Sequence, residues 1–193
     1  MVTALDTKNY PKQIALRDES LIVLRPMEPG DKAALRKFFE RVPEEGRHYL
    51  KESVTAPETI QAWTANIDFS RVVPIVAVAG DEIVADATLH RSRAPARRHI
   101  GEVRIVVDPA YRERCLGSRM IRELVDIAVD QGLHKVTVEL VDRREKAAIL
   151  AARGMGFTEV AVLREAVLDD WGNFQDVVMM ELPLKDRNLW WRF

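Results

Sequence analysis

Residues 103–120, VRIVVDPAYRERCLGSRM, decide how the rest of the chain is read. Val103, Ile105 and Val107 alternate with Glu102, Arg104 and Val106, which predicts a half-buried strand of period two. Asp108-Pro109 stops that strand, and a basic polar turn follows, Tyr111-Arg112-Glu113-Arg114. Leu116, Met120, Ile121, Leu124, Val125, Ile127 and Ala128 then fall on one helical stripe, which Gly132 is well placed to end. Val136–Val141 reads as a strand, and the order strand, helix, strand predicts a parallel right-handed crossover. The first turn of such a helix leaves four backbone N–H groups unpaired, and its dipole favours an anion. Gly117 in that turn costs about 1 kcal/mol relative to alanine. It points either to a ligand approaching the backbone or to close helix–sheet packing. Arg112 and Arg114 offer charge-assisted donors for phosphate oxygens. On these residues alone the turn is an anion site, and a generic phosphate site in an unrelated α/β protein stays open.

Outward from this window, residues 1–20 are polar and read as an N-terminal extension wrapping a surface. Leu21–Leu24 is a short strand closed by Arg25-Pro26. Asp31 opens a helix over residues 31–41 with Leu35, Phe38 and Phe39 at helical spacing, and Pro43–Lys51 reads as a loop. Pro57 starts a second helix bearing Ile60, Trp63, Ile67 and Phe69. Ile75–Ala79 and Ile83–His90 are strands around a Gly80-Asp81-Glu82 break, and the arginine-rich Arg91–Arg98 is a solvated loop. Glu145–Arg153 reads as a helix ending near Gly154 and Gly156. Phe157–Leu168 and Asn173–Leu182 are strands joined through Asp169-Asp170-Trp171-Gly172. The expectation is one domain over residues 21–183 with an aromatic tail at 184–193. Its fold class is α/β (α+β), a single mixed, mostly antiparallel sheet of six or seven strands with helices on both faces.

Composition bounds the function. The 193 residues carry 29 Lys+Arg against 30 Asp+Glu, a net charge of -1, which removes the electrostatic case for bulk nucleic-acid binding. The single cysteine, Cys115, can form no internal disulfide and no structural zinc site, and the four histidines show no ligand spacing, so no metal is expected. No window approaches the roughly 18–20 apolar residues of a membrane helix. The N-terminus lacks a secretory core, so the expectation is a cytoplasmic protein away from membranes.

The segment Arg112-Glu113-Arg114-Cys115-Leu116-Gly117 resembles the acyl-CoA-binding segment of the GNAT N-acetyltransferases, whose motif is Gln or Arg, two residues, Gly, one residue, then Gly or Ala. Cys115 stands where that family has its middle glycine. Lys146–Phe157 is similar to the family's next helix and its terminal Gly-Phe. The resemblance implies an acyl-CoA N-acyltransferase fold with splayed central strands. It implies acetyl-CoA, or another short acyl-CoA, as co-substrate, its pantetheine arm on the backbone of Val106 and Val107. The pyrophosphate would sit on the amides of Arg112, Glu113, Arg114, Cys115, Leu116, Gly117 and Ser118. The acyl group would pass by direct attack to a primary amine of a small molecule or a protein lysine.

Glu102 is then the expected general base, acting through water, with an ion pair to Arg98 or Arg104 as the alternative. The family's usual tyrosine falls at Ala152 and its usual asparagine at Glu145, so the general acid does not carry over. The other reading, supported by Cys115 and Ala152, is a non-catalytic acyl-CoA-binding or regulatory protein. The two early helices and the late hairpin would build the acceptor pocket from His48, Tyr49, Trp63, Asp170 and Trp171. Trp190, Trp191 and Phe193 read either as a cap on a sheet edge or as a homodimer contact.

Overall fold

The computed structural model describes Leu5 and residues 7–184. Eight strands form one sheet: β1 (Lys12–Ala15), β2 (Leu21–Pro26), β3 (Val72–Ala79), β4 (Glu82–Arg91), β5 (Ile100–Val107), β6 (Lys135–Val141), β7 (Thr158–Leu168) and β8 (Phe174–Pro183). They lie in the order β1-β2-β3-β4-β5-β6-β8-β7. Five helices cover it: α1 (Lys32–Arg41), α2 (Glu44–His48), α3 (Pro57–Ala65), α4 (Leu116–Asp130) and α5 (Lys146–Gly154). Every neighbouring pair is antiparallel except β5 and β6, which flank α4 as the strand–helix–strand order requires. No described helix is long and apolar enough to cross a membrane.

The β5–β6 pairing is short. It runs only through Ile100↔Lys135, Gly101↔Val136 and Glu102↔Thr137. Beyond it β5 continues to Val107 and β6 to Val141, but β6 is held along its whole length by β8, from Lys135↔Pro183 to Val141↔Val177. The two parallel strands therefore splay. Gly101 lies in this short pairing, where the packing leaves no room for a side chain. A Cβ on it would lie 2.6 Å from Leu89 Cδ1 and 2.9 Å from Leu133 Cδ1.

Period-two alternation on β5 sorts its side chains between two cores. Val103, Ile105 and Val107 join the core under α4 and α5, where Leu116, Met120 and Leu124 are buried. Val106 joins the opposite core beneath α1 and α3, with Leu35, Phe38 and Ile60. Apolar burial on both faces is what stabilises the sheet.

The structure departs from the sequence expectation in four places. The sheet has eight strands, since the N-terminal extension contributes β1, which pairs with β2 from Lys12↔Leu24 to Ala15↔Leu21. It is anchored on α4 by buried Glu123, which accepts from Tyr10 and, at 2.5 Å, from Lys12 Nζ. A four-residue strand is too short for its period to be read, and its anchor is more than a hundred residues away. The expected loop at 43–51 contains α2, a single turn begun by the Gly46 and Arg47 amides on the Pro43 carbonyl. The second helix ends at Ala65, so Ile67 and Phe69 lie beyond it. β2 runs through Pro26, which pairs with Ile75 at the end of the ladder, where proline is tolerated. Trp190, Trp191 and Phe193 lie outside the described residues.

Candidate active site

Asp108 sets the turn between β5 and α4. Its carboxylate accepts from the Ala110 amide at 2.9 Å and from Arg41 Nε at 2.6 Å, while its own amide donates to the Val84 carbonyl at 2.9 Å. Arg41 also donates to the Ile83 carbonyl at 2.6 Å, so one ion pair ties together the end of α1, β4 and β5. After this clasp Glu113 and Cys115 both take left-handed backbone, at φ 61° and 66°. Left-handed residues in such a turn set successive N–H groups around a concavity suited to anions. Cys115 is thus strained where the family's glycine is not. Cys115→Gly is expected to raise stability by about 0.5–1 kcal/mol, about 2 °C in Tm, without weakening ligand binding. A melting curve checks this, and a lower Tm would contradict it.

The first bond of α4 runs from the Arg119 amide to the Cys115 carbonyl at 3.1 Å. The amides of Glu113 through Ser118 meet no acceptor among the described residues. Gly117 is not there for close packing, since a Cβ on it would rest at ordinary distance, 3.7 Å from Val107 Cγ2 and 3.8 Å from Ile105 Cδ1. Arg114 is committed elsewhere: it bonds Asp18 at 2.8 Å and lies over the Tyr111 ring, bracing the turn against the loop between β1 and β2. Arg112 stays exposed, its Nε on the Val107 carbonyl at 3.3 Å.

No strand pairs with the neighbouring edge of β5 beyond Glu102, where the Val107 carbonyl meets only the Arg112 side chain. Because backbone groups alternate sides along a strand, and the Asp108 amide points to β4, the main chain of Ile105 and Val107 faces the splay. The main chain of Val106 faces β4 instead, opposite Asp86. Of the two residues expected to pair with a pantetheine arm, Val107 presents its backbone there. Val106 presents its side chain to a cleft.

That cleft, of about 350 Å³, lies between α3, the segment leading to it and the faces of β4 and β5. Asp86, Thr88 and His90 line it from β4, Arg104 and Val106 from β5, Lys51, Glu52 and Trp63 from the helical side. Asp86, Thr88 and His90 share one face because they are two residues apart, and they stand opposite Val106, Arg104 and Glu102. His90 donates or accepts at 2.9 Å with Thr88, and burial pushes its imidazole down to about 4.

Glu102 meets two cations, Lys51 at 2.7 Å and Arg104 at 2.8 Å. Burial alone would raise its carboxyl, but these hydrogen bonds outweigh it and hold it down at about 2. Of its two sequence readings, the structure places Glu102 in the ion pair with Arg104, and a carboxylate so held is a weak proton acceptor. Lys51 also bonds Glu139 at 2.8 Å, so it spans the two strands just where they part.

Only Trp63 of the expected pocket residues lines the cleft, donating to Glu52 at 2.8 Å. His48, Tyr49 and Asp170 come together outside its lining. His48 contacts Asp170 Oδ1 and the Leu168 carbonyl, each at 2.8 Å, and stacks edge-on with Tyr49. Trp171, in the same turn, is 75% exposed. At the position of the family tyrosine, Ala152 is buried, with no proton to offer. Glu145 accepts from the Val141 amide at 2.6 Å, and burial raises its carboxyl. Sequence reasoning missed Asp86, although an acid inside the apolar run Ile83-Val84-Ala85-Asp86-Ala87 is a readable signal.

Known structures share this fold. No curated protein matches the chain. The GNAT domain of S. lividans PAT superposes with a TM-score of 0.75 at 22% identity, covering 93% of this chain and 100% of its own. The yncA protein of Salmonella typhimurium, solved with its cofactor acetyl-CoA, gives 0.73 at 19% identity over 86% of this chain and 95% of its own. A GNAT-family acetyltransferase from Streptococcus pneumoniae gives 0.71 at 22% identity, covering 84% and 99%. These likenesses establish the fold. The family model of the GNAT acetyltransferases matches residues 33–157, well over half the sequence, and includes the α4 turn, the splayed strands and the cleft. The chain belongs to the GNAT acetyltransferase family.

Proposed function

We propose that the protein transfers an acetyl group, or another short acyl group, from CoA to a primary amine. One observation carries the reading: the unbonded amides of residues 113–118 adjoin the backbone edge at Ile105 and Val107, which no strand pairs, and that same strand forms a wall of the cleft. A diphosphate suits the amides and Arg112, an extended amide-bearing arm suits the strand edge, and an amine suits the cleft, whose carboxylates Glu52, Asp68 and Asp86 stand among Lys51, Arg71 and Arg104. The acceptor is a small molecule or a protein lysine. The leaving thiolate takes its proton from water, since Ala152 has none to give.

Calorimetric titration with acetyl-CoA, followed by thiol release across a panel of amines, tests the reading. Saturable binding with thiol release is expected. No binding at millimolar ligand would end it, and binding without release would favour the regulatory alternative. Arg112→Glu is expected to raise the acetyl-CoA Kd by about 10–100-fold, since a charge-assisted bond is worth roughly 1.5–3 kcal/mol. An unchanged Kd would mean that the diphosphate lies elsewhere.

A further inference from the structure

The charged side chains around the cleft are almost all spent on one another. Lys51 is shared by Glu102 and Glu139, and Arg104 is held by Glu102. Glu52 accepts from Trp63, and Asp68 accepts from the Ser70 amide and hydroxyl. Among the cleft's carboxylates, Asp86 is the exception. It is 6% exposed, its Oδ1 is fully buried, and no donor among the described residues reaches the carboxyl. Apolar neighbours surround it: Val76 and Val106 pair with it on either side, with Ile105 and Ile67 further along the cleft wall. A buried carboxyl without a partner costs stability, roughly 1–3 kcal/mol even before it ionises. Nothing in the fold requires one on β4, where Ala85 and Ala87 flank it in the same strand.

We infer that Asp86 receives the acceptor's ammonium and takes its proton, acting as the general base of the transfer. The inference rests on the acyl-transfer reading and gives that site its base and its class of acceptor, a primary amine on an arm slim enough to enter the cleft. In the step, an N–H bond of the ammonium breaks and its proton passes to an Asp86 oxygen. The freed lone pair forms the C–N bond at the thioester carbonyl. The C–S bond then breaks, the second proton on nitrogen reaches the departing sulfur through water, and Asp86 returns its proton to solvent. Charge and atoms balance as ammonium plus thioester giving amide, thiol and one proton.

Electrostatics support the assignment. Burial raises the Asp86 carboxyl to about 7, near the range where a base both holds a proton and releases it. Glu102, at about 2, and His90, at about 4, accept protons far less readily. The ionisable groups facing the same cleft are His90 on β4, Arg104 on β5, Lys51 and Glu52 before α3, and Asp68 and Arg71 before β3. The Asp86 shift comes from burial alone.

The test is Asp86→Asn, with the pH dependence of kcat/KM for the best amine of the panel and the acetyl-CoA Kd measured beside the parent protein. The expected result is a loss of about 10²–10⁴-fold in kcat/KM and disappearance of the acidic limb near pH 7, with acetyl-CoA affinity unchanged. The variant should melt no lower than the parent, which shows that lost activity is not lost fold. A variant that keeps both rate and limb overturns the assignment while leaving acyl transfer intact. A parent protein that binds acetyl-CoA but acylates no amine overturns the acyl-transfer reading, and the assignment with it.

Discussion

Replacing Asp108 by alanine is expected to lower the unfolding free energy by about 3 kcal/mol and Tm by about 6–12 °C. Asp108 is almost wholly buried, 6% exposed at the side chain, whereas Arg41 is 33% exposed, which places the cost at the lower end for a buried pair. Truncation strands two donors at once, Arg41 Nε and the Ala110 amide, and loosens the arginine that also holds the Ile83 carbonyl. The turn that presents residues 113–118 hangs from the same carboxylate, so acetyl-CoA affinity should fall with stability. Asp108→Asn keeps an acceptor for Ala110 but loses the ion pair, and should fall between the two. Urea unfolding measures this through its midpoint at constant slope. A loss under about 1 kcal/mol would rank the pair with ordinary surface bridges and remove its role in setting the turn.

The second large effect lies in how stability depends on pH. The folded Asp86 carboxyl sits at about 7 against an ordinary 3.8, so the unfolded chain gives up this proton first. Its contribution to stability is complete below about pH 4 and is lost as pH rises through about 7, amounting to about 4 kcal/mol. Asp86→Asn removes that dependence. The variant should therefore gain on the parent steadily between pH 4 and pH 8, by about 8–16 °C in Tm. Glu102 has the opposite sign, with its folded carboxyl at about 2 against 4.5. Its contribution is complete above about pH 4.5 and is lost as pH falls through about 2, so Glu102→Gln should cost most near neutrality. Melting curves of the parent and both variants across this range decide the matter. Curves for parent and Asp86→Asn that stay parallel would mean that Asp86 is not the perturbed group.

Much of the fold was legible because its signals are local. The β5 alternation, the α4 stripe and the Gly132 stop each lie within a few residues, and the structure repeats them nearly to the residue. β1 was not legible, because what makes it a strand is its docking through Glu123, a partner from the other half of the chain. The site divides the same way. The unbonded amides follow from helix geometry at a known starting point. The role of Glu102 depended on Lys51, which arrives from a loop about fifty residues earlier, and the isolation of Asp86 depended on what packs against β4 from both sides.

By itself, then, the sequence determined the family, the order of elements and the turn whose amides are left unbonded, since period, capping and motif spacing act over one or two helical turns. The tertiary structure alone decided where β5 and β6 part, which carboxylate is paired and which is left bare. Those outcomes are set by desolvation and by contacts between residues far apart in the chain, and no local pattern records them.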